Sequence, residues 1–191
     1  IAWEGIGWIG SDINRLWLRT KGHTLDESLQ RTRVEALYGR AFHRWWDAII
    51  GVRRDFGDID GDETPRTWAA FGIQGLALYK FEVSATGYVG ERGKTAAILE
   101  AEYDMLLTNR LIANWSVEAD WFGQSDPEEV IGAGLSTVEA GLRLRYEITR
   151  QFAPYIGFER EWSYGKTADL RGLSNHSRNE TRWVVGLRFW F

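Results

Sequence analysis

The chain has 191 residues and a mass of 22.0 kDa, room for one domain. With no Cys and three His, disulfide scaffolds and Cys-based zinc or redox sites are excluded and a His-rich metal cluster has little to draw on. A formal charge of -4 with Lys and Arg scattered along the chain gives no basic stripe for a phosphate backbone, so nucleic acid is not an expected partner.

Alternation with period 2 predicts ten strands, at 3–20, 31–40, 45–56, 66–76, 80–90, 95–107, 111–122, 133–148, 153–164 and 181–191. The connections differ in kind. Those at 21–30, 57–65, 91–94, 123–132 and 165–180 are mostly long, polar and rich in Gly, Asp and Ser, whereas 41–44, 77–79, 108–110 and 149–152 are short. Long loops therefore gather at one end and tight turns at the other, and an even strand number puts both chain ends beside the short turns. Within 3–20 the number parity of the charged face changes, since Glu4 and Trp8 are even while Arg15, Trp17 and Arg19 are odd; this predicts a bulge or break in Gly10–Asn14. The aromatic load of 11 Trp, 7 Tyr and 9 Phe beside 21 Gly and 3 Pro suits tightly curved all-β structure. Pro65 and Pro127 fall in long loops and Pro154 opens a strand, so none interrupts a ladder.

The opposite faces of these strands carry different chemistry. Segment 133–148 sets Val138, Ala140, Leu142, Leu144, Tyr146 and Ile148 against Thr137, Glu139, Gly141, Arg143, Arg145 and Glu147. Segment 111–122 sets Leu111, Ala113, Trp115, Val117, Ala119 and Trp121 against Asn114, Ser116, Glu118 and Asp120; 95–107 sets Leu99, Ala101, Tyr103 and Met105 against Glu100, Glu102 and Asp104. A soluble sandwich or lipocalin-type barrel would turn the apolar face inward and solvate the charges. Two features favour the inverse. Large aromatics such as Tyr38, Trp46, Phe71, Phe81, Tyr103, Trp121, Trp162, Trp183 and Phe189 sit toward segment ends on the apolar parity, as interfacial girdles require, and glycines such as Gly51, Gly72, Gly141 and Gly157 recur in mid-strand, suiting a small barrel. The expectation is an all-β, closed antiparallel transmembrane β-barrel of about ten strands, a single domain over 1–191. Its lipid partner would be the bilayer of a cell outer membrane. No run of 18 or more apolar residues offers a membrane helix, and the chain shows no charged n-region followed by an apolar core, so compartment must come from the fold.

The stretches Asn14–Trp17, Arg66–Leu76, Leu99–Tyr103, Gly134–Ile148, Phe152–Gly157 and Gly186–Phe191 look like the copper resistance protein B family. The resemblance covers nearly the whole chain. It implies an outer-membrane barrel of Gram-negative bacteria that handles or conducts copper ions, with copper as cargo, not as a tightly bound cofactor, and a periplasmic copper-binding protein as a possible partner. Family members usually carry a Met- and His-rich segment ahead of the barrel, and this chain is expected to start at the barrel itself, with Met105 its sole methionine.

Copper(I) prefers thioether or thiolate and copper(II) imidazole, which leaves His23, His43, His176 and Met105 as donors of those types. His23 and His176 fall in the first and last long loops, which barrel closure would make neighbours, and are the candidate metal ligands; a lone loop His is otherwise simply solvated. The expected ion path follows Glu100, Glu102, Asp104, Glu118, Asp120 and Glu139, with Arg143 and Arg145 beside it, against the plainer alternative of internal salt bridges that fill a narrow lumen. No HExxH, GxSxG or P-loop occurs, and no catalytic residue is expected. Two alternatives of other classes stay open: an outer-membrane lipid-modifying enzyme, and a structural or adhesive barrel that conducts nothing.

Overall fold

The computed structural model describes residues 2–25, 28–56, 66–126, 130–173 and 177–189. Eleven strands run as β1 (Ala2–Gly10), β2 (Asn14–Leu25), β3 (Ser28–His43), β4 (Trp46–Phe56), β5 (Arg66–Leu76), β6 (Glu82–Gly90), β7 (Thr95–Leu106), β8 (Leu111–Phe122), β9 (Gly134–Tyr146), β10 (Phe152–Ser163) and β11 (Asn179–Phe189), with helix α1 (Gly165–Leu173) between the last two. They form one sheet in sequence order without a crossover. No helix among the described residues is long and apolar enough to cross a membrane, which says nothing of strands. The chain divides into two compact units, Ile1–Gly75 with Ala85–Ala97, and Leu76–Ser84 with Ile98–Phe191.

In the first unit the expected single segment 3–20 is two strands, which raises the count from ten to eleven. The parity change marks a hairpin, not a bulge. Gly10 pairs with Arg15, so the connection between them has an even number of residues; parity changes while the face does not. Ser11 closes the turn: its N–H donates to the Asn14 carbonyl at 2.8 Å and its hydroxyl accepts from the Asn14 N–H at 3.2 Å. Gly10 has φ +144°, and a Cβ there would lie 2.2 Å from the Asn14 carbonyl oxygen, so only glycine fits. One consequence concerns the first strand. Ala2 lies opposite His23, at the far end of β2 from this turn, so β1 begins at the long-connection end, not beside a short turn as expected. At the other end of the chain Phe189 pairs with Phe152, beside the short turn 147–151, as expected.

The expected loop 21–30 is mostly strand. β2 continues to Leu25 and β3 starts at Ser28, and His23 pairs with Ala2 on one side and Arg31 on the other. Polar composition misled here: outside a bilayer core a strand flanked on both sides satisfies its ladder whatever its side chains, so the pairing outlasts the apolar alternation.

In the second unit β8, β9, β10 and β11 pair in order, with a register shift between Asp120 and Trp121. The expected loop 165–180 contains α1, which packs on β9. Its Thr167, 1% exposed, accepts the Gly132 N–H at 2.8 Å and shares a 2.8 Å hydrogen bond with the Ser136 hydroxyl. Arg171 in the last helical turn binds Glu161 on β10 at 2.5 Å.

Burial is inverted in both units. Charged side chains such as Arg53 and Arg145 are 6% and 4% exposed, while Ile50 and Val185 are 62% and 79% exposed. Many other exposed side chains are likewise apolar, including Leu16, Leu18, Phe71, Trp115, Ile156 and Trp183. Water would penalise this arrangement on both faces; a hydrocarbon solvent favours it, because apolar side chains then meet lipid and the polar ones satisfy each other. Of the predicted girdle, Tyr38, Phe71, Phe81, Trp121, Trp183 and Phe189 are exposed, and Phe81 stacks on Tyr103 at 4.8 Å between centroids.

Candidate functional site

Register decides which polar side chains meet. In the first unit Arg19, Glu35, Arg53 and Trp68 lie directly opposite one another across β2, β3, β4 and β5. Arg53 makes a two-point contact with Asp55, Nε and Nη2 each 2.8 Å from a carboxylate oxygen, and its guanidinium stands 4.9 Å over the Tyr88 ring. The Tyr88 hydroxyl donates to Glu35 at 2.9 Å, and Arg19 reaches Glu35 at 3.9 Å and donates to Gln74. Two more pairs extend this network, Arg33 with Asp55 at 3.9 Å and Arg15 with Asp47 at 3.6 Å. Gly51 permits the close strand approach beneath it, since a Cβ there would fall 2.0 Å from the Ala36 carbonyl oxygen. On this polar face the described strands carry Arg15, Arg19, Lys21, Arg33, Arg53 and Arg66 against Glu4, Glu35, Asp47 and Asp55.

The second unit has the opposite balance. Glu82, Glu100, Glu102, Asp104, Glu118, Asp120, Glu139, Glu159, Glu161 and Glu180 share its polar face with Arg143, Arg145, Arg182 and Arg188, and α1 adds Arg171. Among the described residues of this face carboxylates thus outnumber arginines two to one. The predicted path residues fall into three groups. Near the short-turn end, Asn114 donates to Asp104 at 2.8 Å and to Glu102 at 3.4 Å, and Arg145 binds Asp104 at 2.9 Å. In mid-strand, Glu100 accepts from the Ser84 hydroxyl at 2.5 Å and Arg143 binds Glu159 at 2.5 Å. Toward the long-loop end, Asp120 accepts from Thr137 at 2.8 Å and Arg182 binds Glu139 at 2.6 Å.

One feature of this end is not evident from alternation. Glu118 lies opposite Glu139, Glu139 opposite Glu161, and Glu161 opposite Glu180, a row of carboxylates across β8, β9, β10 and β11. Directly opposed like charges destabilise a sheet. Arg182 beside Glu139 and Arg171 beside Glu161 offset part of that repulsion. The signal of the row in the sequence is faint, because it depends on the shift at Asp120 and Trp121 and on the lengths of two connections.

Of the expected imidazole donors, His23 is placed in β2 and not in a loop, and His176 lies outside the described residues. His43 ends β3 in the first unit, and Met105 is exposed on the apolar face of β7. Among the described residues no three His, Cys, Asp or Glu side chains come close enough to hold a metal ion. What the carboxylates present is a spread of single anionic positions along the strands, held by hydroxyl, amide or guanidinium groups.

The comparisons with known proteins agree with this geometry. Over residues 1–191 the chain is similar to the family model for copper resistance protein B precursor, CopB. It is 49% identical over 191 residues to a copper resistance protein B homolog of Pseudomonas syringae pv. tomato, and 44% identical over 190 residues to copper resistance protein B of Escherichia coli. All of this chain is covered in both matches, and it spans 64% and 63% of the length of those two relatives. Among solved structures it resembles the NanC porin in a rhombohedral crystal form, with a TM-score of 0.62, 14% identity, and coverage of 100% of this chain and 94% of that one. That likeness shows a porin fold, in keeping with the inverted burial. The chain belongs to the copper resistance protein B family.

Proposed function

We propose that this porin-fold domain serves copper resistance at the outer membrane, guiding copper ions along the carboxylate-rich polar face of its second unit. The observation that carries the reading is the in-register row of Glu118, Glu139, Glu161 and Glu180. A folding-only role gives no reason to oppose like charges across four neighbouring strands; a passing cation does, because it offsets their repulsion when present.

The path runs from Asp120, Glu118 and Glu139 at the long-loop end, past Glu100, to Glu102 and Asp104 at the short-turn end. Arg145 holds Asp104 and Arg143 holds Glu159, so among the described residues no position gathers enough carboxylates to retain the ion. Favourable entry with weak, repeated binding is what conduction needs. On this reading copper is cargo, not a resident cofactor; the barrel is a monomer in the lipid bilayer and a conduit rather than an enzyme, and a periplasmic copper-binding protein works with it at the short-turn end.

The test is copper accumulation in cells carrying the full-length relative, this 191-residue chain alone, or neither. A change produced by the chain alone and equal to the full-length effect supports a function in the barrel. No change with the chain alone, beside a clear full-length effect, places the function elsewhere and rejects the reading.

A further inference from the structure

The first unit has polar atoms that its own side chains leave unsatisfied, and those on its ion-paired face are all donors. Among the described residues Arg15 Nε, Trp17 Nε1 and Arg19 Nε are buried without a hydrogen-bond partner, and they belong to three successive inward positions on β2. Alternate residues of a strand stand about 7 Å apart, so the three donor side chains form a short ladder along β2, with the Nε1 edge of Trp17 lying against Gly39 of β3. Trp68 Nε1 on β5 is a fourth such donor, on a side chain that is 7% exposed. The Trp68 ring lies over Gly90, where an added Cβ would come 2.6 Å from the ring's Cε3, so the opposite ring edge, which carries Nε1, is directed away from β6. Among the side chains described on this face cations outnumber carboxylates six to four, Arg15, Arg19, Lys21, Arg33, Arg53 and Arg66 against Glu4, Glu35, Asp47 and Asp55, the reverse of the second unit.

Buried donors without acceptors cost free energy, and proteins normally pair them. The acceptors nearby are already engaged: Glu35 holds the Tyr88 hydroxyl, Asp55 holds Arg53, and Gln74 takes an Arg19 N–H. We infer that the polar face of β2–β5 is a binding site for an oxygen-rich anion, a carboxylate or phosphate group, which accepts from the β2 ladder and from Trp68. The charge supports the same ligand class, since a guanidinium donates to a carboxylate in shorter and stronger hydrogen bonds than to a neutral acceptor. This site is independent of the carboxylate row and stands or falls without the copper reading.

The test uses the 191-residue chain in detergent micelles with its tryptophans labelled at the indole nitrogen. Sodium citrate and sodium phosphate are the probes, and sodium chloride at matched ionic strength is the control. Of the 11 indole N–H resonances, those lost in Trp17→Phe and Trp68→Phe are assigned to the two donors. Both should move downfield and saturate with citrate or phosphate, and Arg19→Gln should weaken the apparent affinity by about tenfold, the loss expected for one charge-assisted contact. A response to citrate alone or phosphate alone supports the inference and identifies the source of the anionic group. If neither resonance moves, if chloride moves them equally, or if Arg19→Gln titrates like the parent chain, the inference is overturned. Should Arg19→Gln fail to show a heat-dependent gel shift, Arg15→Gln takes its place with the same criterion.

Discussion

In the first unit each of Glu35, Asp47 and Asp55 has an arginine within 4 Å, and Tyr88 adds a hydroxyl to the best-buried of them. On the polar face of the second unit ten described carboxylates share five described arginines, and Glu118, Glu139, Glu161 and Glu180 stand in one cross-strand row. The same inverted architecture thus supports two uses of charge. Matched ions hold strands together where desolvation is severe, while surplus ions of one sign leave an attractive field for the other. The difference is one of register as much as of composition, because which residues face each other sets whether a charge is a fastener or a site.

The comparison can be broken most forcefully at Arg53. Arg53→Ala removes the two-point partner of Asp55 and the cation over Tyr88, and leaves buried carboxylates poorly matched. It should destabilise the folded state by about 3 to 5 kcal/mol, measured by urea unfolding in lipid vesicles. The corresponding change in the second unit, Arg145→Ala, should cost markedly less, because Asp104 is 42% exposed and keeps Asn114.

Next come substitutions on the apolar face, which the two units share. Val52→Arg in mid-β4 and Val185→Arg in mid-β11 should each cost about 2 to 4 kcal/mol in a bilayer. Both positions are strongly exposed, so in a water-facing strand the same changes would be nearly silent. A cost in one unit and none in the other would separate their environments.

Thr167→Val tests how α1 is held on the second unit. It deletes the acceptor of the Gly132 N–H and the partner of the Ser136 hydroxyl at a side chain with almost no exposure. A loss of about 1 to 3 kcal/mol is expected, with earlier proteolysis at 165–178 as a local readout.

The smallest expected effect has the opposite sign. Glu118→Gln with Glu139→Gln relieves one opposed pair and should stabilise the barrel by about 0.5 to 1 kcal/mol, where Glu35→Gln in the first unit destabilises it. Stabilisation by neutralising a carboxylate pair is the signature of charge kept for something other than folding.

Much of this was legible from alternation alone. The charged and apolar parities of 111–122 and 133–148 correspond to the polar and apolar faces of β8 and β9, and the break at Gly10–Asn14 was visible as a change of parity. What alternation does not encode is direction: a bulge and a tight hairpin both shift parity, and only the Ser11 hydrogen bonds and the φ of Gly10 distinguish them. Polarity is a poor guide to loops, since it hides the continuation of β2 through His23 and the helix that Thr167 anchors. Pairing across strands was out of reach, since Tyr88 with Glu35 is 53 residues apart and Asp104 with Arg145 is 41. The chemistry of each predicted path residue was therefore readable, and its partner was not.

The most direct measurement is copper entry into proteoliposomes followed with an encapsulated copper-sensitive dye, comparing the parent chain with Glu100→Gln, Glu102→Gln and Asp120→Asn combined, and with a matched neutralisation of Arg33→Gln and Asp55→Asn in the first unit. The account predicts a fall of about tenfold or more for the second-unit variant, the scale of electrostatic focusing, and little change for the first-unit one. Equal flux in all three preparations, or a fall confined to the first-unit variant, would contradict it.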